Sequence, residues 1–184
     1  SIVDSTAKIK DAAQKIVWGK FLNAGQTCIA PNMIFVHQSK KQELVEELIN
    51  QIKIQYPDFE NGTYIVNSTH FERINNLLKD SLEQGATLLL GGDNNPNLNA
   101  ISPTIIENVS EDSSLYQEEI FGPILPIFTF TDLEEIPRKL NKIEKPLALY
   151  LFTKSRKNRN FILNNTSAGT TAINETTIQF AQPY

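Results

Sequence analysis

Ile124-Leu125-Pro126-Ile127-Phe128-Thr129-Phe130 opens the stretch of sequence that decides the fold. Its continuous apolar and aromatic character reads as a strand. Residues 133–140 follow with helical spacing, and residues 147–153 return to strand character. A helix over 155–164 and a strand at Thr170–Ile173 complete the run. Apolar strands alternating with amphipathic helices indicate an α/β layer built on a mostly parallel sheet.

The pattern extends toward the N-terminus. Ile9, Ala12, Ala13, Ile16, Val17 and Phe21 recur at helical spacing, so residues 5–24 are expected to form an amphipathic helix ended by Gly25. Residues 33–36 read as a strand and 40–54 as a helix through Leu44, Val45, Leu48, Ile49 and Ile52. Phe71, Ile74, Leu77, Leu78 and Leu82 mark a third helix ending near Gly85. Thr87–Leu90 reads as a strand, 91–99 as a turn-rich loop, and 102–109 as extended. No internal repeat or long linker divides the chain, so residues 1–184 are expected to form one domain, a three-layer α/β/α unit. Residues 177–184 stop without a helix cap or polar tail, and both ends look cut.

Bulk properties narrow the function. A net charge of −4 argues against a nucleic-acid binder, whose affinity comes from clustered cations. The basic run Lys154, Arg156, Lys157 and Arg159 reads as a solvated helix start. No apolar run reaches the ~20 residues that cross a bilayer, and Ser1-Ile2-Val3-Asp4 has no signal-peptide character. One cysteine makes neither an internal disulfide nor a cysteine-based metal site; no metal is expected, and a cytoplasmic setting fits best. No Gly-x-Gly-x-x-Gly or Gly-x-x-x-x-Gly-Lys-Ser/Thr cradle for a nucleotide is present.

That cysteine, Cys28, lies in Gly25-Gln26-Thr27-Cys28-Ile29-Ala30-Pro31, between a helix and a strand. A lone cysteine is by default a small buried hydrophobe. Flanking Gly and Pro favour a defined turn that presents the side chain, and a loop at the edge of an α/β sheet is a usual ligand site.

Trp18-Gly19-Lys20-Phe21-Leu22-Asn23-Ala24-Gly25-Gln26-Thr27-Cys28-Ile29-Ala30 closely resembles the active-site cysteine segment of aldehyde dehydrogenases. Gln117-Glu118-Glu119-Ile120-Phe121-Gly122-Pro123 resembles the same family's Glu-Glu-x-Phe-Gly-Pro motif, in the family's order. Ile65-Val66-Asn67-Ser68-Thr69-His70-Phe71-Glu72-Arg73-Ile74 and Lys145-Pro146-Leu147-Ala148-Leu149-Tyr150-Leu151-Phe152 are similar to the class 3 branch. The resemblance spans essentially the whole chain.

It implies a cysteine thiolate that attacks an aldehyde, hydride transfer to NAD or NADP, and a thioester that water cleaves to a carboxylic acid. Cys28 matches the nucleophile, and its backbone N–H matches one oxyanion donor. Glu119 matches the carboxylate that holds the nicotinamide ribose, and Phe121 the aromatic beside the nicotinamide. Glu118 is expected to face away into solvent, because adjacent residues of an extended segment point oppositely. The resemblance also places the general-base glutamate, the oxyanion asparagine and the cofactor domain upstream of Ser1, and a Pro-Phe-Gly-Gly stretch beyond Tyr184. The isolated chain is therefore expected not to turn over, and a homo-oligomer, a dimer, is expected of the longer enzyme.

Two rival functions remain. A cysteine hydrolase or acyltransferase needs a histidine to deprotonate Cys28. Only His37 and His70 are present, and both read as surface or packing residues. A scaffold that kept the fold without the chemistry is the other; retention of Cys28, Glu119 and Phe121 argues against it.

Overall fold

The computed structural model describes residues 1–181. Its elements run β1 (Ile2–Val3), α1 (Ile9–Phe21), β2 (Ile34–His37), α2 (Lys41–Gln55), α3 (Ser68–Glu83), β3 (Thr87–Leu90), β4 (Asn94–Asn95), β5 (Ala100–Ile101), β6 (Thr104–Glu107), α4 (Ser114–Gln117), β7 (Ile124–Phe130), α5 (Glu135–Leu140), β8 (Ala148–Phe152), α6 (Arg156–Asn165) and β9 (Thr170–Ile173). Seven strands form one sheet in the order β3-β6-β7-β2-β1-β8-β9. Every pairing is parallel except β3 with β6. This is the mostly parallel α/β sheet expected from the alternation of strands and helices.

Strand pleating sorts the core into two faces. Ile34, Val36, Leu125, Ile127, Tyr150 and Phe152 join the buried apolar faces of α1 and α2. Their neighbours Phe35, Ile124, Phe130, Leu149 and Leu151 join Phe71, Ile74 and Leu77 of α3, Ile136 of α5 and Ile162 of α6. Helices on both faces make the three layers. Each such side chain taken wholly out of water stabilises the fold by roughly 1.5–3 kcal/mol before entropy is charged against it.

Differences from the sequence reading sit at element ends. The first helix stops at Phe21, because Asn23 (φ 54°), Ala24 (φ 53°) and Gly25 (φ 74°) are left-handed in succession. A single terminating glycine was expected there; three left-handed residues turn the chain instead. The 91–99 loop carries β4, which pairs with β5 in a small antiparallel ribbon. Ile178–Ala181 form a 3-10 turn, and the remainder of the expected tail, 182–184, lies outside the described residues.

Candidate active site

In a parallel α/β unit the loop after a helix delivers the chain to the amino end of the next strand. The Cys28 loop precedes β2, the Gln117–Pro123 motif precedes β7, and residues 144–147 precede β8. All three therefore gather at the amino edge of the sheet. Open α/β folds usually bind ligands at the carboxyl edge, so the motif chemistry, not the topological rule, locates this site. A cleft of about 310 Å³ opens there, lined by Cys28, Met33, Glu118, Glu119, Leu147 and Tyr150 among others.

Cys28 is exposed and sits at the corner of a turn closed by the Ala30 N–H donating to the Thr27 carbonyl at 2.9 Å. The side chain of Gln26 fastens the loop on one side. It donates to the carbonyls of Asn23 (3.1 Å) and Tyr64 (3.0 Å) and accepts from the Val66 N–H (2.9 Å). On the other side the Tyr150 hydroxyl donates to the Ile29 carbonyl at 2.7 Å. The Cys28 N–H has no hydrogen-bond acceptor among the described residues, as an oxyanion donor requires.

Backbone contact joins the two motifs. A Cβ built on Gly25 would lie 2.3 Å from the Gly122 carbonyl oxygen, so a glycine is needed at this crossing. Asn32 adds two bonds, its Oδ1 accepting from the Ile120 N–H at 3.0 Å and its Nδ2 donating to the Glu118 carbonyl at 3.4 Å.

The Glu119 segment is held from α3. Arg73 donates to the carbonyls of Glu119 (3.4 Å) and Ile120, and its guanidinium lies 3.8 Å from the Glu118 carboxylate. The His70 Nε2 lies 3.1 Å from the Phe121 carbonyl, and its Nδ1 accepts from Arg73 Nε at 3.3 Å. A carbonyl only accepts, so these two bonds require the neutral tautomer with its proton on Nε2. Phe121 is itself left-handed (φ 47°) and packs edge-on against the His70 ring. Such a conformation persists where its surroundings over-determine it.

Glu118 and Glu119 are both exposed, as expected of Glu118, and both contribute to the lining of the cleft. Their difference lies in partners: Glu118 pairs with Arg73, whereas Glu119 has no ion pair within 4 Å among the described residues. Beneath them Lys20 is fully buried in the last turn of α1. Burial pushes its ammonium down to about 7, against the pull of the Glu119 carboxylate.

A family model described as "Aldehyde dehydrogenase family" matches residues 1–184. The chain belongs to the aldehyde dehydrogenase family. It is 40% identical over 99% of its length to the 4,4'-diaponeurosporen-aldehyde dehydrogenase of Staphylococcus aureus, of which it covers 40%. It is 36% identical over 97% of its length to aldehyde dehydrogenase family 3 member A2 of Rattus norvegicus, covering 37% of that protein; the likeness to the class 3 branch thus holds. A substrate-bound structure of the Staphylococcus aureus aldehyde dehydrogenase superposes with a TM-score of 0.92 at 39% identity, over 99% of this chain and 40% of that one. The chain spans about two-fifths of the length of these relatives.

Within this aldehyde dehydrogenase chain the histidines give the hydrolase reading no support. His37 closes β2 at the carboxyl edge, edge-on to Phe130, across the sheet from Cys28. Both ring nitrogens of His70 are committed to Phe121 and Arg73. Sequence reasoning named Cys28, Glu119 and Phe121 but gave no part to Gln26, Asn32, His70, Arg73 or Tyr150, which hold them. All of these except Asn32 lie inside the quoted motifs. Their side chains act on backbone 46 to 121 residues away in six of the contacts above, a distance that local periodicity does not register.

Proposed function

We propose that this chain is the thiol-bearing catalytic domain of an NAD(P)-dependent enzyme that oxidises aldehydes to carboxylic acids, with Cys28 as nucleophile. The crossing of Gly25 over Gly122 carries the reading, because it holds the cysteine loop and the Glu119 segment in one cleft. The exposed Cys28 thiolate adds to the aldehyde carbon, and the carbonyl oxygen becomes an oxyanion beside the free Cys28 N–H. Preorganised donors of this kind contribute several kcal/mol to acyl chemistry. The nicotinamide, when bound, supplies the hydride acceptor, and the thioester left on Cys28 is cleaved by water.

The residues present fit a ribose. The Glu119 carboxylate is exposed, lacks an ion-pair partner among the described residues, and has two oxygens that can accept from vicinal hydroxyls. Phe121 stands two residues further on, its backbone held by His70; it is not among the described residues that line the cleft, and its place beside the nicotinamide rests on the motif resemblance. NAD and NADP differ at a ribose these residues do not reach, so both are allowed. The general base, the second oxyanion donor and most of the cofactor site are assigned to further polypeptide, and the isolated chain is proposed to be inactive. The complete enzyme is proposed to be cytoplasmic and dimeric. Among the described residues no helix is long and apolar enough to cross a membrane.

The test is aldehyde-dependent reduction of NAD+ or NADP+ by the complete protein, with Cys28→Ala beside it. Loss of at least about a thousandfold in kcat is expected, as for removal of a covalent nucleophile. Undiminished turnover by the variant overturns the assignment.

A further inference from the structure

We infer that Tyr150 is the positioning residue for the nucleophile: its buried hydroxyl fixes the Ile29–Ala30 peptide plane, one residue beyond Cys28, and so aims the thiol. The inference rests on the proposed role of Cys28. The turn Thr27–Ala30 has Cys28 and Ile29 at its two corners. The peptide unit joining Ile29 to Ala30 carries two polar groups, and both are bound. Its N–H donates to the Thr27 carbonyl at 2.9 Å, which closes the turn. Its C=O accepts from the Tyr150 hydroxyl at 2.7 Å, which ties the closed turn to the sheet. With one end of the plane fastened to the loop and the other to β8, the corner carrying Cys28 has little freedom to tilt.

Tyr150 is suited to the task. It stands mid-strand, between the β1 and β9 pairings of β8, and is 1% exposed. Its ring packs in the α1/α2 face of the core, so the hydroxyl is delivered by a rigid element. Burial raises the phenol's pKa and outweighs the lowering by Thr177 and Gln179, so the hydroxyl stays protonated and remains a donor. Gln26 grips the loop two residues before Cys28 and Tyr150 one residue after it. The side chain that must move least is therefore bracketed, although it is itself exposed.

The experiment uses the complete protein and three variants. Tyr150→Phe keeps the ring and deletes only the hydroxyl. Its kcat for aldehyde oxidation is expected to fall about ten- to a hundredfold with KM within about twofold, since ångström-scale misplacement of a reacting group costs of that order. Alkylation of Cys28 by iodoacetamide, which needs a thiolate but no fixed approach, is expected to stay within about threefold of the parent. A packing role alone would move thermal stability and alkylation with kcat. A kcat within twofold of the parent, or alkylation falling as far as turnover, overturns the inference.

If Tyr150→Phe does not fold, 3,5-difluorotyrosine at position 150 decides the matter. It keeps the shape and the donor but ionises at lower pH, so the alkaline loss of kcat should shift downward with it; an unshifted limb overturns the inference. Cys28→Ala separates the two claims. An active Cys28→Ala protein removes the nucleophile assignment itself, whereas an inactive one beside a fully active Tyr150→Phe protein removes only the role of Tyr150.

Discussion

The two edges of the sheet each bury a charged side chain, and they treat it in opposite ways. At the carboxyl edge Asp4, just after β1, is 1% exposed. Its Oδ1 accepts from the Thr6 N–H and hydroxyl, each at 2.7 Å, and its Oδ2 from Asn158 Nδ2 at 2.8 Å and from the Thr153 hydroxyl. Four donors meet four acceptor sites. At the amino edge Lys20 is equally buried, yet its ammonium is destabilised down to about 7.

Backbone strain does not follow the same division. Asn23, Ala24 and Phe121 hold positive φ at the amino edge, and Asn108 and Asn174 hold it at the carboxyl edge, just after β6 and β9. The carboxyl edge has a cleft of its own, about 410 Å³, with Lys8, Lys154, Arg156 and Arg159 on its walls. Cationic character did not mark the site. An unfavourable buried charge did, consistent with perturbed ionisations gathering at functional sites.

Glycine substitutions sharpen the contrast most. Gly25→Ala places a Cβ 2.3 Å from the Gly122 oxygen at φ 74°, and neither backbone can yield without moving a motif. We expect a loss of about 3–4 kcal/mol in denaturant unfolding, combining overpacking with left-handed strain. Gly85, which ends α3 at φ 99° with nothing within 4 Å, is the control. Gly85→Ala should cost only about 1–2 kcal/mol, the backbone penalty alone. Equal losses at the two positions would mean that the crossing is not tight. Next comes the satisfied edge. Asp4→Ala strands four donors in a buried site and is expected to cost about 3 kcal/mol; a loss below about 1 kcal/mol would show that water replaces the carboxylate.

The regular elements were legible because their apolar spacing is local. β1 was not read, although it lies at the heart of the sheet between β2 and β8. Two residues, Ile2 and Val3, carry no period, and only their neighbours make them a strand. α4 is a single turn and escaped for the same reason. At the site the sequence supplied Cys28, Glu119 and Phe121 through motif resemblance, and the hydrogen-bonded frame around them was missed. His70 read as a surface or packing residue and Arg73 as part of a class 3-like stretch, and both stand half-buried on α3. That they meet the carbonyls of residues 119–121 is decided by the path of the chain between α3 and β7.

The last predicted effect concerns Lys20 and distinguishes the edges by pH. In the unfolded chain this ammonium titrates near its ordinary 10.5, and in the folded chain at about 7. Between those values the unfolded state holds a proton that the folded state has released, so stability should rise with pH. The limiting slope for one group is about 1.4 kcal/mol per pH unit, or about 2 kcal/mol between pH 8.0 and 9.5. Lys20→Met keeps most of the volume and has nothing to titrate. Its unfolding free energy should therefore be flatter by that amount over the same interval, measured in urea at fixed ionic strength. Glu119 supplies the internal check, because its carboxylate opposes the burial. Removing that charge with Glu119→Gln should carry the Lys20 transition lower and extend the rise to more acid pH. Parallel profiles for the parent and Lys20→Met would show that the amino edge satisfies its buried charge as fully as the carboxyl edge does.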